Sequence, residues 1–209
     1  MKYQDFVIKG GKFIGRFDDM YKKFDDPWKL LLKNKNNNNL NYEIVWNYCK
    51  QIKFKIIKPI TLEIGCGYPQ ISSHLDKIGF DVYGTDISKT VIDNSKIKFP
   101  KIKNKLHVSK FINFELYESI NPDIIILSDI SWYVLPDIKK FINWFKSIQK
   151  PTYLVHSLAV YGKNKQKYGN NYFYDLDSIK KYFDLKYINS GYMENSNSDR
   201  HTFFLGINK

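Results

Sequence analysis

The sequence predicts an α/β fold: a doubly wound, mainly parallel seven-stranded sheet preceded by an N-terminal hairpin and helical extension. Three observations carry this. From residue 59 onward, strand-like apolar runs alternate with helical patterns of 10–15 residues, the signature of βαβ units. The run Ile124-Ile125-Ile126-Leu127 lacks alternation, as a strand covered on both faces requires. The runs "LKYINSGYM" and "HTFFLGI" read as a closing antiparallel pair.

Taken in order, residues 4–17, "QDFVIKGGKFIGRF", hold two short β-like runs around Gly10-Gly11, a hairpin signal. In "DDMYKKFDDPW", Pro27 closes any short helix. The polar stretch "KNKNNNN", residues 33–39, divides an extension of residues 1–39 from a domain of residues 40–209. Ile44, Val45, Tyr48 and Ile52 recur at helical spacing between Asn41 and Lys53. "PITLEIG" reads as a strand, 69–78 as a helix, "FDVYGTD" as a strand and 88–98 as a helix. "KLHVSKF" and "PDIIILSD" read as strands, 136–148 as a helix, "PTYLVHS" as a strand and "DLDSIKKYF" as a helix.

With 43% hydrophobic and 17% aromatic residues in 209, the chain can bury a substantial core and is not disordered. Its net charge of +12 comes almost wholly from lysine, since Arg16 and Arg200 are the sole arginines. Nucleic-acid readers favour the bidentate arginine fork, so this charge argues only weakly for such a partner. The basic run "KIKFPKIKNK", residues 96–105, is most simply a solvated face. Cys49 and Cys66 make neither a disulfide framework nor a metal cluster, and no metal is expected. No signal-like or membrane-spanning apolar run occurs, so a cytoplasmic location is expected.

"TLEIGCGYPQ", residues 61–70, places a carboxylate, Glu63, and two glycines at the end of the first sheet strand. In doubly wound sheets ligands bind there, beyond the strand ends. Gly65 and Gly67 let the backbone turn and let a ligand lie on bare amides. Asp86 closes the next strand, where an acidic side chain can hold two ribose hydroxyls. A dinucleotide needs a third glycine where Gln70 stands, and Glu63 would repel a pyrophosphate. A cationic nucleoside without phosphate suits the loop better.

"LEIGCGYP" followed by "VYGTDIS" resembles the first two motifs of class I S-adenosylmethionine-dependent methyltransferases, over roughly residues 59–156. The resemblance implies S-adenosylmethionine as cofactor. It implies that Gly65, Cys66 and Gly67 line the methionine end, with Glu63 beneath the loop, Asp86 on the ribose and Ile87 on the adenine. Two departures stand out. Pro69 replaces the usual third glycine, and "KFINF" lacks the acid that often contacts the adenine amine, leaving Phe111, Ile112 and Asn113 there.

"PDIIILSDISWYVLPDIKKF" continues the pattern, with Ser128 and Asp129 where cofactor meets acceptor and Trp132 and Tyr133 beyond. Asp129 could bind the cofactor's ammonium, orient the acceptor, take its proton or merely cap a helix. His156, ending "YLVHS", is the first candidate base, Asp129 the second, and His201 a weaker one. Tyr161 and Tyr168 are possible pocket walls. "IKGGKFIGRFDDMYKKFDDPW" in the extension, and later "KYGNNYFYDLDSIKKYF" with "HTFFLGINK", are similar to bacterial methyltransferases found with sugar and surface-glycan genes. The "DPW" entry is similar to the nodulation-factor N-methyltransferases, which methylate an amino sugar. That resemblance implies a lid in which Tyr21, Asp26 and Trp28 meet the substrate. The expected activity is methyl transfer to an amine or hydroxyl of a small polar acceptor, a sugar or amino sugar, nucleotide- or glycan-linked. The alternatives are RNA or protein methylation, and a non-catalytic partner subunit of the same fold.

Overall fold

The computed structural model describes residues 2–31, 40–162, 165–166, 168–196 and 199–209. The extension holds a two-stranded hairpin, β1 (Ile8–Lys9) and β2 (Lys12–Phe13), and the helix α1 (Phe17–Lys23). Gly10 and Gly11 take φ of 56° and 75°, the positive pair that a tight hairpin turn demands. The helix ends at Lys23, short of Pro27. The boundary expected at 33–39 lies outside the described residues.

The domain runs α2 (Leu40–Lys53), β3 (Ile60–Ile64), α3 (Gln70–Lys77), β4 (Asp81–Asp86), α4 (Lys89–Lys98) and β5 (Leu106–Val108). It continues α5 (Phe114–Ile120), β6 (Ile124–Ser128), α6 (Leu135–Ser147), β7 (Tyr153–Val160), α7 (Leu176–Phe183), β8 (Lys186–Glu194) and β9 (Arg200–Ile207). The seven-stranded sheet has the order β5-β4-β3-β6-β7-β9-β8. All neighbours are parallel except β9, which runs against both β7 and β8. The chain winds outward from β3 on one side and restarts at β6 on the other, which opens a crevice beyond their carboxyl ends.

The strand at 124–128 explains its own lack of alternation. Ile125 and Leu127 pack with Tyr117, Phe141, Phe145 and Phe183 under α5, α6 and α7. Ile124 and Ile126 pack with Val45, Cys49, Leu75 and Ile92 under α2, α3 and α4. Each face is covered. Among the described residues no helix is long and apolar enough to cross a membrane.

Two elements differ from the sequence expectation. Residues 105–111 form only a three-residue strand: Ser109 N–H makes a last bond to β4, to Asp86 O at 2.9 Å, and the chain then leaves the sheet. Residues 110–112 then turn across the crevice. The helix α5 carries no alternating signal and was not expected. Asn113 accepts the Leu116 N–H at its start, and Asn121, at φ 52°, ends it in the left-handed conformation.

Candidate active site

The glycine loop after β3 is held by Cys66 N–H donating to Thr85 O at 2.9 Å. Gly65 and Gly67 sit at φ 70° and 50°, where a side chain is strained. Space is short as well. A Cβ on Gly65 would lie 2.6 Å from Ile130 Cγ2, and one on Gly67 would lie 2.8 Å from Leu30 Cδ1 and Tyr21 Oη. The loop therefore needs bare backbone on both sides.

Asp86 completes it. Its Oδ2 accepts the Gly67 N–H and its Oδ1 the Ser88 N–H, each at 2.9 Å. Each carboxylate oxygen has a second lone pair, so two hydroxyls can still be accepted. Burial raises the Asp86 pKa and these backbone donors oppose that.

Beside the loop opens a cavity of about 830 Å³, a size that accommodates a nucleoside cofactor and more. It is lined by Gly65, Gly67, Asp86, Ile87, Phe111, Ile112, Ser128 and Asp129. Tyr21, Trp28, Trp132 and Tyr133 also face it. The aromatic wall is continuous: Tyr3 meets Trp28 edge-on at 4.9 Å, Trp28 lies 5.8 Å from Tyr133, and Tyr133 lies 5.4 Å from Phe17. Trp132 is fixed by its Nε1–H donating to Ala159 O at 2.8 Å. Ser128 Oγ shares a hydrogen bond of 2.9 Å with Ser157 Oγ.

The extension is tied down over this cavity. Asp18 Oδ1 accepts from Ser88 Oγ at 2.9 Å and Thr90 N at 2.8 Å, capping α4 from another segment of the chain. The Lys22 ammonium, with these contacts, holds the Asp18 carboxyl well below the usual range. Met20, Tyr21, Tyr68 and Val91 close the seam.

Four expected site residues stand elsewhere. His156 is fully buried, outside the cavity lining, stacked at 4.7 Å on Phe204 with its Nε2 2.8 Å from Ser131 Oγ. Burial pushes it down to about 3, so it cannot hold a proton near neutrality. Glu63 faces α3, where its Oε2 accepts from Ser72 Oγ at 2.6 Å and Ser72 N at 3.1 Å. Burial lifts it to about 7 against those bonds, so it is no fixed anion beside a cation. Cys66 lies behind the loop, and a Cβ on Gly84 would come within 3.2 Å of its Sγ. Asp26 accepts the Leu30 and Leu31 N–H groups, each at 2.8 Å, and shapes a turn rather than the cavity wall.

Asp129 takes φ 57°, rare for a residue with a side chain. Its Oδ1 accepts the Ala159 N–H at 3.1 Å and lies 3.3 Å from His201 Nε2. His201, Asn41, Tyr42, Tyr161, Lys110 and Asp137 also line the cavity. Asn41 and Tyr42 escaped the sequence reading because only the tertiary fold brings the start of α2 to the strand ends.

Residues 62–152 match the family model described as a methyltransferase domain. That segment is similar to a methyltransferase domain, and the fold is that of the solved methyltransferases with which it compares. The N-methyltransferase NodS from Bradyrhizobium japonicum WM9, in complex with S-adenosyl-L-homocysteine, superposes with a TM-score of 0.67 at 13% identity. That match covers 91% of this chain and 97% of NodS. Magnesium protoporphyrin IX methyltransferase from Synechocystis PCC 6803, with bound SAM, gives 0.64 at 15% identity over 91% of this chain and 94% of that one. The bifunctional kinase-methyltransferase WbdD gives 0.60 at 15% identity over 80% of this chain and 39% of WbdD. At these identities the likeness is one of fold. No curated protein sequence matches this chain.

Proposed function

We propose that this methyltransferase moves the methyl group of S-adenosylmethionine to an amine or hydroxyl of a small polar acceptor, with a glycan-linked sugar or amino sugar the best fit. The carrying observation is the charge of the cavity. In a chain of net charge +12, the described lining presents Asp86, Asp129 and Asp137 against Lys110. A sulfonium is welcome there. A phosphate is not, since no arginine fork stands in that lining, and this favours a glycan-linked acceptor over a nucleotide-linked one.

In this reading Gly65 and Gly67 cradle the methionine end, Asp86 takes the ribose hydroxyls, and Ile87, Phe111 and Ile112 flank the adenine. Bound there, the cofactor supplies an electrophilic methyl on a positively charged sulfur. The protein's part is alignment, which can be worth about 7–11 kcal/mol without any covalent step. Tyr3, Trp28 and Tyr133 offer flat apolar faces for a sugar ring, and Tyr21 and Trp28 act as a lid. The free, buried thiols of Cys49 and Cys66 fit a reducing, cytoplasmic setting.

RNA as acceptor is disfavoured by placement. The basic run at 96–105 ends in a short 3-10 helix that enters β5 at its amino end, opposite the cavity. The decisive experiment is calorimetry with S-adenosylhomocysteine on wild type and Asp86→Ala, with folding checked by circular dichroism. Loss of two hydroxyl contacts to a carboxylate, each about 1.5–3 kcal/mol, predicts at least a hundredfold weaker binding. Equal affinity in a folded variant overturns the ribose assignment.

A further inference from the structure

Three polar side chains from three separate elements meet at one end of the cavity. Asp129 follows β6, His201 is the second residue of β9, and Asn41 is the second residue of α2. His201 Nδ1 lies 2.9 Å from Asn41 Nδ2, and His201 Nε2, which makes no hydrogen bond among the described residues, lies 3.3 Å from Asp129 Oδ1. The ring is stacked on Phe203 with centroids 4.9 Å apart and planes 17° from parallel, which restrains its rotation. All three residues line the cavity.

The local backbone holds this residue in an uncommon conformation. A left-handed aspartate is strained and persists only where its surroundings over-determine it. Here they do: the Asp129 N–H donates to Ser157 O at 2.9 Å, and its Oδ1 is taken by Ala159 N and faced by His201. Oδ2 accepts no hydrogen bond from the described residues, and the side chain remains 45% exposed.

Resting on the methyl-transfer reading above, the geometry points to Asp129, His201 and Asn41 as one proton-handling unit for an amine acceptor, with Asp129 the catalytic base and the other two its positioning partners. An aliphatic amine reaches the site as an ammonium and has no lone pair to offer. On Asp129 its N–H bond breaks and the proton passes to Oδ2. The freed pair then forms the N–CH3 bond while the S–CH3 bond breaks, and that electron pair stays on sulfur. The proton leaves to water from the exposed carboxyl. Alcohols are poor substrates for such a base, because they hold their proton about five pH units more tightly than an ammonium.

Asn41 suits either state of the ring. Its amide N–H can donate to an unprotonated Nδ1, which puts the ring proton on Nε2, facing Asp129. Turned over, its carbonyl can accept from a protonated Nδ1. The other titratable groups sharing this wall are Tyr42 on α2 and Tyr161 after β7, with His156 behind on β7. Burial raises both tyrosines and lowers His156.

The test uses full-length protein saturated with S-adenosylhomocysteine and labelled at its four histidines. Nuclear magnetic resonance of the ring nitrogens, which reports which of them carries the proton, should show the His201 signals move in Asp129→Asn. An unchanged His201 ring spectrum overturns the coupling. In parallel, glucosamine and methyl glucoside serve as amine and hydroxyl probes, with S-adenosylhomocysteine release as readout. His201→Phe, which keeps a ring on Phe203, should lower kcat on glucosamine at least about tenfold while KM and S-adenosylhomocysteine affinity hold. His201→Gln, which restores a donor toward Oδ1, should recover part of that loss. Wild-type kcat in His201→Phe, or faster turnover of methyl glucoside, refutes the unit; if neither probe turns over, the ring spectrum decides. Wild-type protein that fails to bind S-adenosylhomocysteine would instead sink the methyl-transfer reading.

Discussion

Glu63→Gln isolates a single buried carboxyl. Glu63 is 4% exposed, and its folded pKa of about 7 stands above the ordinary 4.5 because burial outweighs the two bonds from Ser72. The sign follows from which state binds the proton more tightly. With the folded value raised, the group favours folding most below pH 4.5, and this contribution is lost as pH rises through about 7. Between pH 5 and pH 8 the linkage integral over those two values comes to about 2.5 kcal/mol. Glutamine does not titrate, so the variant lacks this loss. Urea unfolding of wild type and variant at pH 5 and pH 8 measures it as a double difference, in which the other titrating groups cancel. The stability of Glu63→Gln relative to wild type should improve by about 2.5 kcal/mol on going to pH 8. A double difference below about 1 kcal/mol would refute a raised pKa, and Glu63 would then be a permanent anion beneath the glycine loop.

Two more substitutions sharpen the picture. Gly65→Ala sets a methyl 2.6 Å from Ile130 Cγ2 at a φ of 70°, so S-adenosylhomocysteine binding should be lost and the melting temperature should fall by several degrees; calorimetry and thermal unfolding check both. His156→Phe keeps the ring stacked on Phe204 and removes the group held near pKa 3, so steady-state kinetics should find kcat within about threefold of wild type, where loss of a true base gives 10²–10⁴.

Much of the fold was legible because its signals are local. Gly10-Gly11, the unalternating run at 124–127 and the cap residues of the helices each act within a few positions. The helix α5 was missed because seven residues hold barely two turns of periodicity, although Asn113 and Asn121 bracket it. Glu63 and His156 were legible in principle. Strand side chains alternate, so Glu63 must oppose Leu62 and Ile64, which face α5–α7. The same count puts His156 on the face of Leu154 and Leu158, in the core rather than toward a ligand. Asn41 could not be found this way, since 160 residues separate it from the ring it contacts.

The left-handed turn at Asp129 narrows what can ever stand there. Only glycine, asparagine and aspartate adopt that conformation readily, and glycine would empty the spot. A lineage shifting from charged to neutral acceptors can therefore exchange carboxylate for amide in one step and keep the turn. Any other replacement adds backbone strain to its change of chemistry.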